Sequence, residues 1–289
     1  MKNKYGIWIL LIATLFVACK SVRKEQGDSF ESMDEFFDAH KQEEQTFVLD
    51  SGGTGPIVGK MGSLLYGDSS IFMDANSNDV SYPITLKLIE LYTRGDIILY
   101  RTPTISDNGT VLRSGGEIKL TAFKDSQPLQ IKPGKYFRVD MPCSAPETGM
   151  TMFYSSQDPA ENWTYSADPA LDVVGFYQTR PTKLGWINCD KLYSGGTNTT
   201  ITFTVDGSGT ENINVFIAFK NFLSVLKVSG LVSTNVPEGE DITVIAMAKD
   251  KGGNYRLHQS NETIAAGMTV ALDMQEVTEQ QLVDFLGGL

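Results

Sequence analysis

The chain has little of the residue types on which much enzyme chemistry depends. It holds two histidines and three cysteines in 289 residues. Two histidines cannot supply a three-histidine metal site, and they leave few groups that titrate near neutral pH. Basic residues are also scarce: 24 Lys and Arg against 35 Asp and Glu give a net charge of -11. Such a chain lacks the positive surface that neutralises phosphates, which excludes nucleic acid as the expected partner. No apolar run reaches the ~20 residues of a membrane-spanning helix. No Gly-x-Ser-x-Gly elbow occurs. The stretch Thr54 to Met61 has a Gly59-Lys60 pair. It has Thr54 and Met61 where a phosphate-binding loop needs glycine and a hydroxyl residue.

What the chain does have begins with an address. Lys2 and Lys4 precede an apolar run from Tyr5 to Ala18, the pattern of a secretory signal. The run ends Leu15-Phe16-Val17-Ala18-Cys19, which resembles the lipobox of bacterial lipoproteins, in which the signal is cut before the cysteine and the thiol carries lipid. Phe16 departs from the aliphatic residue usual at its position. The resemblance implies lipidation of Cys19 and durable membrane anchoring, since each buried CH₂ adds ~0.8 kcal/mol. Loss of residues 1–18 removes Lys2 and Lys4 and takes the net charge from -11 to -13. Surface-exported lipoproteins of Bacteroidota-type bacteria often carry acidic residues just after the cysteine. Lys20, Ser21 and Val22 do not match, which favours the periplasmic face of the outer membrane over the cell surface.

In an oxidising compartment Cys143 and Cys189 are a possible disulfide, closing a loop of about 47 residues and worth up to ~4 kcal/mol. The alternative is two buried thiols. Neither has a histidine near it in sequence, so neither reads as a nucleophile.

Residues 20–29 are polar and read as a tether. Phe30, Met33, Phe37 and His40 recur at helical spacing, with Ser32 and Glu35 placed for a capping box, so a short amphipathic helix is expected there, with His40 on its surface. A glycine-rich link, Ser51 to Pro56, follows. The pattern then turns to period two: Ile84, Leu86, Leu88; Ile118, Leu120, Ala122; Phe137, Val139, Met141. Turn signals stand at Asp74–Asp79, Asp107–Gly109, Ser114–Gly116 and Lys132–Gly134. The second half repeats the β pattern at Ile201–Val205, Val215–Phe219 and Ile242–Ala248. Thr278-Glu279-Gln280-Gln281 opens a C-terminal helix that Gly287 and Gly288 close. The expected fold is mainly β: two antiparallel β-sandwich-like domains with a short N-terminal and a short C-terminal helix. The expected division is 1–18 signal peptide, 19–59 lipidated tether and helix, 60–160 first sandwich, and 161–289 second β-rich domain.

Within Gly67–Tyr154, the runs Phe72–Asn78, Gly95–Leu99, Ser114–Glu117, Leu129–Lys135 and Gly149–Tyr154 resemble a module of exported Bacteroidota proteins. That module is similar to the ZU5-type β-sandwich of scaffold proteins. The resemblance covers about a third of the chain and rests on turns and core positions, so it implies a structural or interaction module and carries no chemistry.

Three groups of residues are candidates for a site. Asp74, Asn76 and Asn78 have the spacing of the first ligands of a Ca²⁺ loop, but Asp79 stands where the loop glycine should be and Thr85 where its glutamate should be. A hairpin turn is the favoured reading. Trp163, Tyr165 and Trp186 stand in an aromatic run that could stack on a glycan or a partner loop, or plug the interface between the sandwiches. Gly67-Asp68-Ser69 is similar to the start of one esterase family, but Tyr255, Arg256 and Leu257, with no aspartate, precede His258. The expected function is a non-catalytic cell-envelope lipoprotein, a structural or protein-interaction module with no cofactor. The alternatives are a carbohydrate-binding accessory lipoprotein of a glycan-uptake system and a carboxylate-dependent hydrolase.

Overall fold

A computed structural model describes residues 30–52, 55–169, 171–173, 175–206 and 210–289. The signal segment, Cys19 and the tether lie outside the described residues. The chain is mainly β, as the alternation predicts.

Helix α1 (Asp34–His40) comes first. The first sandwich holds β1 (Gln45–Leu49), β2 (Ile57–Val58), β3 (Leu64–Tyr66), β4 (Phe72–Met73), β5 (Ile84–Leu91), then α2 (Arg94–Tyr100) and β6 (Leu112–Lys124). It continues with β7 (Gln127–Pro128), β8 (Gln130–Ile131), β9 (Arg138–Pro142), β10 (Thr151–Ser155), β11 (Thr164–Pro169), β12 (Leu171–Val173), β13 (Phe176–Thr179) and β14 (Gly185–Leu192). One sheet runs β1-β5-β6-β14-β10-β11, with β7 on β6, and the facing sheet runs β12-β13-β9-β3-β2; β4 and β8 form a small ribbon. The second sandwich holds β15 (Asn198–Val205), β16 (Asn214–Phe219), β17 (Val225–Val228), β18 (Val232–Pro237), β19 (Asp241–Lys249), β20 (Tyr255–Thr263), β21 (Thr269–Leu272) and β22 (Gln275–Val277). Its sheets run β18-β15-β21 and β17-β16-β19-β20-β22. Helix α3 (Glu279–Gly287) ends the chain. Among the described residues all pairings between these strands are antiparallel except β15 with β21.

The alternating residues go where their period sends them. Ile84, Leu86, Leu88, Ile118, Leu120, Ala122, Phe137, Val139 and Met141 all enter the core of the first sandwich. Ile201, Phe203, Val215, Ile217, Ile242 and Val244 fill the second. Val215–Phe219 and Ile242–Ala248 lie in β16 and β19, each flanked by strands on both sides, which fits their unbroken apolar runs. Thr278 and Gln281 form the expected capping box of α3.

Four features differ from the expectation. The first sandwich does not end near residue 160: β11 pairs with β10, β13 with β9, and β14 with both β6 and β10. The sheets therefore divide after Leu192, because strand partners are chosen by tertiary packing and not by local composition. Ser114-Gly115-Gly116 is no turn but lies inside the long strand β6. A Cβ at Gly115 would stand 2.6 Å from Tyr177, and one at Gly116 2.3 Å from Tyr92. The glycines make room for two tyrosines rather than for a bend. Ser32 does not form a capping box with Glu35, since α1 begins at Asp34 and Ser32 Oγ accepts only from Asp34 N–H. Finally, α2 is a helix that the pattern does not announce. Thr93 caps it through Asp96 N–H, and Arg101 closes it in the left-handed region at φ 58.

Candidate functional site: the seam between the sandwiches

A third apolar cluster joins the two sandwiches. Met33 at the cap of α1, Phe36 and Phe37 within it, Ile97, Ile98 and Tyr100 of α2, and Leu282 and Leu286 of α3 meet Phe153, Trp163 and Trp186 from one side. Phe216, Ile245 and Met247 close it from the other. Three short helices, each too short to be stable alone, are thus held by burial between two sheets. Polar clamps reinforce the seam. Arg94 Nε donates to Phe219 O at 2.6 Å, and its Nη2 donates to Phe222 O at 3.0 Å. His40 of α1 pairs with Glu279 of α3 at 2.8 Å, so this histidine fastens two helices.

Trp163 and Trp186 belong to this plug. Trp163 is fully buried, donates from Nε1 to Pro103 O at 3.0 Å, and meets Trp186 edge-on at 6.4 Å. Trp186 is only 3% exposed. The reading of Trp163 and Trp186 as an open stacking platform is corrected: the large rings at this depth satisfy the interface. Tyr165 stands apart, 55% exposed on β11, packed edge-on against Phe153.

Beside the plug runs a groove. One part, about 390 Å³, is lined by Gln42, Tyr100, Lys119, Asp158 and Trp186 among others. Asp38, Arg101 and Pro159 continue from it into a wider part of about 740 Å³ that reaches Glu161, Asn214 and Lys227. Lys119 sits 5.6 Å from the centre of the Trp186 ring and binds Asp158. Trp186 Nε1 donates to Asp158 at 3.1 Å. Burial works against the charged form of Asp158, but hydrogen bonds from Lys119 and Trp186 outweigh it and hold its pKa below the ordinary value. The groove thus offers an acid, a base, an amide and ring edges, each fixed by a neighbour.

The other expected sites resolve as structure. Asp74 Oδ1 accepts from Asn76 N–H and Asn78 N–H, both at 2.8 Å, and Asn78 Nδ2 reaches its other oxygen at 3.0 Å. The carboxylate that would begin a Ca²⁺ loop is taken up by its own turn. The same arrangement recurs at Asp250, which accepts from Gly252 and Asn254 N–H. Among the described residues no group of three or more His, Cys, Asp or Glu gathers into a metal-ligating cluster. No disulfide joins Cys143 and Cys189. Cys189 faces the first core, and the chain at Cys143 is held by Gly175 O. Both thiols lie beside Tyr177, whose pKa burial raises.

His258 stands 3.2 Å from Ser260 Oγ, a pair with the outline of a base and nucleophile. The opposite ring nitrogen, Nδ1, accepts from Asp273 N–H at 3.0 Å. In the neutral ring that puts the proton on Nε2, so the histidine donates to Ser260 and cannot take its proton.

The stretch resembling a phosphate loop has an internal anion. Met61 N–H and Ser63 N–H donate to the Glu90 carboxylate, both at 2.9 Å, and Gln45 Nε2 donates to it at 2.7 Å. Lys60 N–H goes to Gln45 Oε1 at 2.7 Å. The backbone amides that would cradle phosphate bind a fully buried glutamate of β5 instead. A Cβ on Gly59 would fall 2.5 Å from Glu90 Oε2. Gly59→Ala is therefore expected to displace the carboxylate from its donors and cost about 2 kcal/mol or more in chemical denaturation. Unchanged stability would show that the loop tolerates the shift.

Sequence reasoning missed two residues. Glu117 and Asp190 are both fully buried, and burial, the largest cause, pushes both carboxyls well above the usual range. The only signal was an acid beside apolar strand residues in each of two runs, Glu117 before Ile118 and Asp190 after Cys189.

No family model matches the chain, and no curated protein matches it. A solved structure of gamma-CGTase from Alkalophilic bacillus clarkii is similar at 12% identity over 78% of this chain, with a TM-score of 0.18, a likeness too small to carry an argument. The chain spans about two fifths of that structure's length, 40%.

Proposed function

We propose that this chain is an exported lipoprotein of the cell envelope whose two sandwiches act as one non-catalytic interaction body. The observation that carries this reading is the order of its parts. A signal with a cysteine at its end is followed by a mostly polar ten-residue stretch, and the folded body begins directly after it. Glu31 N–H bonds to Lys249 O at 2.7 Å, and Asn212 Nδ2 bonds to Phe30 O at 2.8 Å. The tether thus enters at the second sandwich, beside α1. Eleven residue steps from Cys19 reach at most about 40 Å, so the body hangs close to its membrane with the second sandwich nearest the anchor. Among the described residues no helix is long and apolar enough to cross a membrane, and in this reading the lipid alone holds the chain there. The periplasmic face of the outer membrane remains the proposed place.

Replacing Cys19 by Ala should move the protein from the membrane fraction to the soluble fraction of the envelope. Unchanged fractionation would remove the anchor from this reading. A second reading, a glycan ligand, is favoured by the groove, where Lys119, Asp158 and Gln42 present hydrogen-bonding groups beside Trp186 and Tyr100. Glycan-array binding that is lost in Asp158→Ala, while the fold persists, would select it.

A further inference from the structure

We infer that the pocket where the end of β10 meets the start of β11 binds a carboxylate-bearing sugar of a glycan chain, with Tyr165 as its stacking face and Lys183 as its anion contact. The inference rests on the reading of the chain as an interaction body and gives that body a partner, but it needs neither the anchor nor the groove beside Trp186. The pocket holds about 350 Å³, at the lower end of ligand-sized cavities. Its walls follow from the strand register. Tyr154 stands opposite Thr164 and Phe153 opposite Tyr165, and Ser155 ends β10. The loop before β14 closes it with Lys183 and Leu184.

The lining suits a sugar. Ser155, Ser156, Thr164 and Ser166 all reach the pocket. A hydroxyl both donates and accepts, which matches a ligand that is itself covered in hydroxyls. Ser155 Oγ accepts from Gln157 N–H at 3.2 Å and keeps its own proton to give. Ser166 Oγ donates to Asp168 at 2.8 Å, which occupies the acid beside the pocket. Among the described residues Ser156 and Thr164 make no side-chain hydrogen bond, so both are open to a ligand. Tyr165 supplies the apolar face. It is 55% exposed, and its ring is held edge-on against Phe153 at 5.5 Å. A large ring left in water but fixed in place offers stacking at little entropic cost.

Charge adds the preference for an acid. The chain carries -11, yet the stretches 132–138 and 180–183 hold five basic side chains and no acidic one. The two stretches lie together: Phe137 N–H bonds to Pro181 O at 2.9 Å, and the Arg180 guanidinium sits 5.3 Å from the centre of the Tyr136 ring. Lys132 and Arg138 are neutralised by Asp79 and Asp140. Among the described residues Lys135, Arg180 and Lys183 make no ion pair. Lys183 Nζ lies 5.6 Å from the centre of the Tyr154 ring, and Tyr154 Oη accepts from Thr182 N–H at 3.2 Å, so the loop that carries the lysine is fixed to the pocket wall. An unpaired positive edge on an acidic body draws an anion to that place. The hydroxyls and the ring then select a sugar carboxylate over a bare anion.

The test applies the full chain, purified in detergent, to an array of neutral and carboxylate-bearing glycans, and then titrates the best-retained glycan by calorimetry. Carboxylate-bearing members should be retained and their neutral counterparts not, and added salt should weaken the binding. Tyr165→Ala and Lys183→Ala should each lower the affinity about tenfold or more, with the melting temperature shifted by under ~4 °C. Lys183→Arg should keep the preference for the carboxylate. Asp158→Ala, in the groove beside Trp186, should bind as the original chain does. Four results would overturn the assignment: no carboxylate-bearing glycan retained, neutral counterparts held equally well, displacement of the glycan by inorganic phosphate at equal concentration, or affinity unchanged in both Tyr165→Ala and Lys183→Ala. None of these bears on the fractionation of Cys19→Ala, so loss of this site and loss of the anchor are read separately.

Discussion

Gly95→Ala is expected to lower stability by about 3 kcal/mol, although the same change on an exposed helix surface raises it by up to ~1 kcal/mol. The reversal of sign comes from one contact. Gly95 lies in the first turn of α2, and a Cβ there would stand 2.1 Å from Leu286 O of α3. The obstacle is backbone, so no rotamer change relieves it. Either α2 or the end of α3 must move by more than an ångström, and both are held. Arg94 clamps the loop after β16 through Phe219 O and Phe222 O, and α3 carries its own capping box. Moving α3 also draws Leu282 and Leu286 out of the seam. Gly287→Ala, one residue on from the contact, is the matched control, since a Cβ there meets nothing within 4 Å. Urea denaturation should show a marked loss for the first variant and none for the second. Equal midpoints would mean that α2 and α3 do not bear on each other as described.

The strands were legible because a half-buried strand writes its environment into every second residue. Ile84 to Leu88 and Ile118 to Ala122 need no knowledge of their partners to be read. The order of strands is a different matter. Nothing in Gly185–Leu192 tells that it lies between β6 and β10 across a long stretch of sequence, so composition placed a boundary near residue 160 where pairing places none. The Ser114-Gly115-Gly116 run misled because glycine serves bends and close approaches alike, and only the facing Tyr177 and Tyr92 decide which. Helix α2 has too few turns to show a period, yet Thr93-x-x-Asp96 is a capping signature that was open to reading. The buried acids Glu117 and Asp190 escaped for a plainer reason. Acidic residues are common in this chain, and only burial separates these two from the rest.

Trp163→Ala is expected to weaken the whole body by about 3–5 kcal/mol. The indole is fully buried, and its loss leaves a large void beside Trp186 and takes away one of the two donors to Pro103 O, Ile105 N–H being the other. The backbone around it is a joint as well: Trp163 N–H bonds to Ile105 O, and Asp107 N–H bonds to Trp163 O, both at 3.0 Å. This short parallel bridge ties the approach to β11 to the loop between α2 and β6. The exposed Tyr165 lies two residues on, and Tyr165→Ala should cost under ~1 kcal/mol by comparison. The measurement has a convenient reporter. The chain has three tryptophans, and the other one, Trp8, falls in the segment proposed as a signal. In a chain that begins at Cys19, tryptophan fluorescence therefore reads the seam, while far-ultraviolet circular dichroism reads the strands of both sandwiches. Trp163→Ala should shift the Trp186 emission toward that of an exposed indole at a lower denaturant concentration than the loss of strand signal. Coincident transitions at the original midpoint would show that the seam contributes little, and that the two sandwiches are stable without the plug between them.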